Sequence, residues 1–198
     1  MTIQIDDAGW GSLVGGVLIG ACREESPKTQ HAFREVPVAY FQGPAFAQKH
    51  YLQQGLACAK ELMEELRVPF DEPVHVCTGY VLEAVRAGLR AEGYQVIPSK
   101  IGDPLQTLIE QELLDRVTGL GVETDLEILT TKQGLYFWQC LRWVKGGDIN
   151  AIGGRQDRII HCKTGWATFD IWVNHPYQEA KVLSRQFKAA RRRSRWQR

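Results

Sequence analysis

Hydrophobic and polar residues follow one another along the chain with the spacings of short strands and amphipathic helices. The runs at residues 3–6, 17–19 and 36–41 are β-prone and are separated by glycine-rich or polar segments, so they predict three successive strands. Pro37 indicates that the third strand lies at an edge or starts there. Between residues 52 and 66, apolar positions recur at steps of four and three, which predicts an amphipathic helix.

Strands and helices then alternate. The runs at residues 74–77 and 94–97 predict a fourth and a fifth strand, and the apolar spacing predicts helices over residues 80–89 and 103–117. The order β-β-β-α-β-α-β-α predicts an α/β fold with a mixed sheet. The reason is that successive strands can pair as hairpins, whereas parallel strands need a crossover that is usually a helix.

The last third of the chain is rich in aromatic residues and ends in a basic tail. Residues 158–162 and 167–173 predict strands, and a helix is predicted from Tyr177 into the tail. We therefore expect a core at residues 1–119, an aromatic-rich extension packed on the core at residues 120–180, and the basic tail at residues 181–198.

Composition places the chain among globular proteins. Of its 198 residues, 44% are hydrophobic and 24% are charged, which argues against a disordered or collagen-like chain. No run reaches the roughly 18 apolar residues of a membrane span, so no membrane partner is expected. The N-terminus lacks a leader-like pattern, and the five cysteines are scattered without a C-x-x-C pair, so we expect a cytoplasmic protein.

The near-zero net charge of +1 conceals a strong asymmetry. Eight of the 24 Lys and Arg and none of the 23 Asp and Glu lie in residues 181–198, which leaves the remainder of the chain at −7. A basic tail on an acidic body indicates a polyanionic partner, and we expect nucleic acid. The tail residues expected to contact it are Arg191, Arg192, Arg193, Arg195 and Trp196.

The first strand runs into the segment Asp6-Asp7-Ala8-Gly9-Trp10-Gly11. Two adjacent carboxylates at a strand end can bind Mg²⁺ ions, and glycines let a nucleic-acid backbone approach the main chain closely. This segment resembles the D-E-A-G-R-G opening motif of type 2 ribonucleases H. The order of elements in residues 1–119 is similar to that of the ribonuclease H-like superfamily.

The resemblance implies a nuclease that uses Mg²⁺ or Mn²⁺, in a two-metal site, to hydrolyse phosphodiester bonds in RNA, an RNA/DNA hybrid or DNA. It makes Asp6 and Asp7 metal ligands, and it places Gly9, Trp10 and Gly11 at the nucleic acid.

A second partial match begins at Lys100, which is expected to contact nucleic acid, and Asp103, which is a candidate metal ligand and equally a candidate helix cap. Asp115 corresponds approximately to another catalytic acid, with Glu110 and Glu112 as competitors. Two positions depart from the family pattern. Trp10 replaces an arginine, and Cys77 stands where the family has a ligand aspartate, with Glu83 the nearest substitute.

Three other interpretations of the sequence stay open. The acidic pair and the glycines can form a hairpin turn that needs no metal. The chain can be a non-catalytic nucleic-acid-binding or assembly module with a degenerate ribonuclease H-like fold. Finally, an aspartate followed by a glycine-rich hairpin also resembles the phosphate-binding turn of sugar kinases and actin-like ATPases.

Overall fold

A five-stranded mixed sheet forms the centre of the molecule in a computed structural model, which describes the backbone of residues 1–196 and the side chains of residues 1–193. The strands are β1 (Ile3–Ala8), β2 (Val17–Arg23), β3 (His31–Val36), β4 (Val74–Cys77) and β5 (Val96–Ser99). Their order across the sheet is β3-β2-β1-β4-β5. β2 is antiparallel to both β1 and β3, whereas β4 is parallel to both β1 and β5. The predicted mixed α/β sheet is therefore confirmed.

Helices cover both faces of this sheet. The helices of the described residues are α1 (Gly43–Ala47), α2 (His50–Glu65), α3 (Glu83–Ala91), α4 (Leu105–Gly119), α5 (Leu126–Thr131), α6 (Gln133–Val144), α7 (Gln156–Ile159), α8 (Phe169–Asn174) and α9 (Tyr177–Trp196). Short 3-10 turns occur at Val38–Phe41 and Tyr80–Leu82. Among the described residues, no helix is both long and apolar enough to cross a membrane.

Two apolar clusters hold these layers together. Ile3 and Ile5 of β1 point into a cluster with α2 and α3, because alternate residues of a strand face opposite sides of the sheet. Ala8 belongs to a second cluster that contains α4 and much of the extension. Buried extension residues in this second cluster include Val122, Tyr136, Cys140, Leu141, Val144, Cys162, Phe169 and Val173. The extension thus shares its core with one face of the sheet.

The third strand was predicted too late in the chain. β3 ends at Val36, and the predicted strand residues Val38–Phe41 form a 3-10 turn. Pro37 lies between them and has no N–H to continue the ladder, so it ends the strand. β3 is an edge strand, as Pro37 indicated, and its half-exposed polar residues gave no apolar run to detect.

The strands predicted in the extension are wrong. Residues 158–162 include the end of α7, and residues 167–173 include most of α8. Phe169 and Val173 lie one helical turn apart and are both buried in the second cluster, so packing favours a helix over the β-propensity of the run. The predicted helix from Tyr177 is confirmed as α9, which includes the described part of the basic tail.

Candidate active site

A glycine-rich loop, residues 9–16, connects β1 to β2 beside the acidic pair. Gly9 has a φ of +88°, and a Cβ there would lie 3.2 Å from the carbonyl oxygen of Gly16. Within the loop, the hydroxyl of Ser12 donates to the carbonyl of Val14 at 2.7 Å and is also hydrogen-bonded to the hydroxyl of Tyr136 at 2.7 Å. The loop is therefore a tightly packed turn that needs glycine at position 9.

Lys163 of the extension forms hydrogen bonds to the glycine-rich loop. Its side chain is fully buried, and its Nζ donates to the carbonyl oxygens of Gly9 and Ser12, each at 2.9 Å. The rings of Phe41 and Trp166 lie 5.5 and 5.9 Å from the same nitrogen. Burial lowers the pKa of Lys163 to about 7. Both the ammonium and the neutral amine carry enough N–H groups to donate to both carbonyls.

The backbone of the extension also pairs with the loop. Val14 and Cys162 form an antiparallel bridge. The N–H of Gly15 donates to the carbonyl of His161 at 2.9 Å, and the N–H of Lys163 donates to the carbonyl of Leu13 at 3.0 Å. The position of the glycine-rich loop therefore depends on residues 161–163.

A cavity of about 290 Å³ lies between this loop, α4 and the start of α6. The loop residues Gly9, Trp10 and Gly11 line it, as does Glu110 of α4. Further lining residues are Asp6, Asp7, Ala8, Ser12, Gln106, Ile109, Leu113, Leu129, Thr130, Gln133 and Tyr136. Three acidic residues, Asp6, Asp7 and Glu110, thus line one cavity.

The two aspartates are in an unfavourable place for negative charge. Burial, together with the charge of Asp6, raises the pKa of Asp7 to about 7. Burial also raises the pKa of Asp6, although hydrogen bonds from the Cys77 thiol and the Asp7 N–H oppose this effect. In the described part of the chain, no Lys, Arg or His forms an ion pair with either carboxylate. Among the residues that the structure describes, the pair therefore has no cationic partner.

The end of β4 adjoins this pair. A Cβ on Gly79 would lie 3.1 Å from Oδ1 of Asp7, so glycine leaves the space that this carboxylate needs. Burial raises the pKa of the Cys77 thiol to about 11, and the thiol is hydrogen-bonded to Asp6. Cys77 is consequently a neutral hydrogen-bond donor at neutral pH. It stands at the end of β4, where the family pattern discussed above has an aspartate.

Asp103 and Asp115 lie outside the cavity lining. Asp103 is exposed and accepts from the hydroxyl of Thr107 at 2.6 Å and from its N–H at 3.3 Å, so it satisfies a free N–H in the first turn of α4 from the position before the N-cap Pro104. Asp115 is exposed and accepts from the side chain of Gln111 at 2.9 Å. Of the two competing acids on α4, Glu110 lines the cavity, whereas Glu112 forms an ion pair with Arg116.

The remaining predicted contacts are spread over the surface. Lys100 and Glu83 are exposed and do not line the cavity. Arg191, Arg192 and Arg193 lie exposed on α9. The side chains of Arg195 and Trp196 lie outside the part that the structure describes.

Some residues of this site gave no sequence signal. Lys163 and Tyr136 contact the loop from positions more than 120 residues away, and neither stands in a recognisable motif. Glu110 was predicted only as a competitor of Asp115, and its place in the cavity lining distinguishes it from the other acids of α4.

No family model, curated protein or solved structure matches this chain. Among the described residues, no group of three or more His, Cys, Asp and Glu side chains is arranged to hold a metal ion. The arrangement offers two adjacent aspartates, a glutamate that lines the same cavity and a glycine-rich loop held by hydrogen bonds at its rim.

Proposed function

We propose that this chain is a divalent-metal-dependent nuclease that hydrolyses phosphodiester bonds in nucleic acid. The observation that carries the proposal is the cavity lined by Asp6, Asp7 and Glu110 beside the glycine-rich loop. The sheet order β3-β2-β1-β4-β5, with the acidic pair at the end of its central strand, supports a ribonuclease H-like fold. In this proposal Glu110 takes the role that the sequence assigned to Asp103 or Asp115.

The chemical type of the three side chains suits Mg²⁺ or Mn²⁺, although among the described residues they are not arranged as a group that holds an ion. These cations prefer carboxylate oxygens, and two adjacent, partly buried carboxylates without a cationic partner are costly until a positive charge joins them. The raised pKa values of Asp6 and Asp7 express that cost. Asp6, Asp7 and Glu110 would hold the metal. When bound, it would supply an acidified water and stabilise charge on the phosphate oxygens.

The chain's own groups would position the substrate. A Cβ on Gly11 would have no neighbour within 4 Å, so the backbone at this point is open to a close approach by phosphate. Lys163 keeps the adjacent loop carbonyls of Gly9 and Ser12 turned inward, away from an anionic ligand. The exposed arginines of α9 would neutralise phosphates farther along the bound nucleic-acid strand.

Paired Asp→Asn variants test this proposal. Asp6→Asn should lose Mn²⁺ binding in a calorimetric titration and cleave labelled single-stranded, duplex and hybrid substrates more than about 100-fold more slowly. Asp115→Asn is the matched control, because it changes an exposed acid outside the cavity, and it should behave as wild type. Cleavage by Asp6→Asn at the wild-type rate, or wild type that binds no Mn²⁺, would refute the proposal.

A second candidate function is a non-catalytic nucleic-acid-binding module. It is favoured by Cys77, which supplies a thiol at the end of β4 where a further carboxylate would complete the site. The same titrations identify it, because the module would bind nucleic acid in a salt-dependent manner while Mn²⁺ produced neither heat nor cleavage.

A further inference from the structure

An aromatic cluster lies directly beside the carboxylate cavity. Trp10, which lines the cavity, packs against the rings of Phe41, Tyr51 and Tyr80, with centroids 6.1, 5.4 and 6.3 Å away. Phe41 and Tyr51 are buried, whereas Tyr80 is 44% exposed. Buried rings therefore support an exposed ring at the edge of the proposed active site.

The backbone places Tyr80 next to a residue that contacts Asp7, just outside the cavity lining. Its neighbour Gly79 is the residue whose missing side chain makes room for Asp7. The hydroxyl of Tyr80 accepts hydrogen bonds from Lys49 and from Tyr51, and the first of these is the main cause that lowers the pKa of Tyr80. Tyr80 is thus fixed through its hydroxyl while part of its ring stays open to solvent.

Lys49 supplies positive charge beside Tyr80. Its backbone has an unusual conformation. It lies between α1 and α2 with φ 59° and ψ 30°, in the left-handed region that side-chain-bearing residues rarely adopt. Its Nζ is 5.6 Å from the centroid of the Tyr80 ring. Such strain persists where the surrounding structure enforces it, and it is concentrated at ligand-binding sites.

Positive charge continues on the far side of the cluster. Arg191 of α9 lines a surface cleft together with Phe46 of α1 and Trp166. The ring of Phe46 in turn stacks on that of Tyr51, with centroids 5.5 Å apart. A cation on the predicted nucleic-acid-binding helix therefore borders the same aromatic cluster as the carboxylate cavity.

We propose that Tyr80 and Lys49 form a subsite for an unpaired nucleotide next to the phosphodiester that is cut. This inference rests on the proposed nuclease function and names its substrate class. An exposed ring beside a cation suits a base that stacks outside a duplex and the phosphate that accompanies it. Bases within a continuous duplex are already stacked on each other and cannot use the ring. The substrate is therefore a strand with an unpaired nucleotide, as in a single strand, loop or flap.

Binding measured in EDTA separates this subsite from the cleavage chemistry. The probe is a fluorescein-labelled single-stranded 12-mer, compared by anisotropy with its own duplex. Tyr80→Leu should weaken single-strand binding about 5- to 150-fold, the range expected for the loss of one stacked base. Lys49→Gly should also weaken binding and reduce the salt-dependence slope by about 0.7, the share of one phosphate contact in a single strand.

Two matched controls lie at the other end of β4 and α2. Phe70→Leu removes another exposed ring, which is 60% exposed and packs on Tyr94. Arg67→Gly removes another exposed cation from a left-handed residue, here with φ 50°. Both controls should bind the 12-mer within about twofold of wild type, since neither touches the subsite. Far-ultraviolet circular dichroism of all four variants establishes that each is folded.

The outcomes distinguish this inference from the function on which it rests. If Tyr80→Leu binds the single strand as tightly as wild type, or if wild type prefers the duplex, the subsite is refuted even if the chain cleaves nucleic acid. If binding in EDTA depends on Tyr80 and Lys49 but no metal supports cleavage, the subsite is retained and the nuclease proposal fails.

Discussion

Replacement of Lys163 by methionine tests the role of the extension in building the site. Methionine keeps most of the apolar stem but removes the nitrogen that donates to the carbonyls of Gly9 and Ser12. The two carbonyls are affected unequally. Gly9 still accepts from the N–H of Ser12 at 3.0 Å, whereas no other donor to the Ser12 carbonyl is found among the described residues.

The expected loss follows from these two carbonyls. A buried carbonyl left without a donor costs about 1–3 kcal/mol, and the loss of one of two hydrogen bonds to the other costs about 0.5–1.5 kcal/mol. The desolvation cost of the buried amine disappears with it and offsets part of this loss. We therefore expect the free energy of unfolding to fall by about 2–3 kcal/mol. With a urea dependence of about 2 kcal/mol per molar, the unfolding midpoint should fall by about 1–1.5 M.

Lys145→Met is the matched control for this substitution. Lys145 is also buried, and its Nζ donates to the carbonyls of Ile149 and His175 at 3.1 and 2.6 Å, away from the glycine-rich loop. Both variants should lose comparable stability in urea titrations followed by tryptophan fluorescence. Only Lys163→Met should accelerate amide hydrogen exchange within residues 9–16. An unchanged urea midpoint for Lys163→Met, or equally fast loop exchange in both variants, would refute the reasoning.

Two further predictions concern stability. Because the folded pKa of Asp7 is about 7, the folded chain binds more protons than the unfolded chain between about pH 4 and pH 7, and this contribution to stability is lost as the pH rises. The free energy of unfolding of Asp7→Asn should therefore exceed that of wild type by about 2–4 kcal/mol at pH 8, and the difference should disappear at pH 4. Urea titrations measure both values, and a difference that does not change with pH would contradict the prediction. Glu72→Gln breaks the largely buried ion pair with Arg23, whose Nη2 lies 2.9 Å from Oε2, and should cost about 3–5 kcal/mol. Glu61→Gln, in an exposed pair with Arg34, should cost less than about 1 kcal/mol by the same titration, and equal losses would show that burial is not the cause.

Most elements of the first 119 residues could be predicted because their signals are local. The apolar stripe of α2 and the run of β4 need no information about distant residues. The position of β3 was predicted wrongly, because an edge strand is partly exposed and its polar residues conceal the period of two. α8 was predicted as a strand because its aromatic and β-branched residues have strand propensity. The packing of Phe169 and Val173 on one side favours the helix instead.

The candidate site likewise contains residues with a local sequence signal and residues without one. The acidic pair and the glycine-rich loop are contiguous in sequence, so the motif alone brings Asp6 and Asp7 to one cavity. Choosing among the acids of α4 required the helix orientation, and only Glu110 faces the cavity. Lys163 could not be predicted at all. Its partners are 154 and 151 residues away in sequence, and nothing local marks a lysine that will be fully buried.

The pairing of residues 161–163 with the glycine-rich loop sets an order of events during synthesis. All five strands have been translated once residue 99 is made, yet the loop after β1 acquires its last partners more than 60 residues later. At about 5–20 residues per second, that interval lasts several seconds on a ribosome. A nascent chain can thus form the sheet before it can fix the rim of the cavity. The proposed nuclease activity would then arise only in chains whose extension has been translated and has packed against the loop.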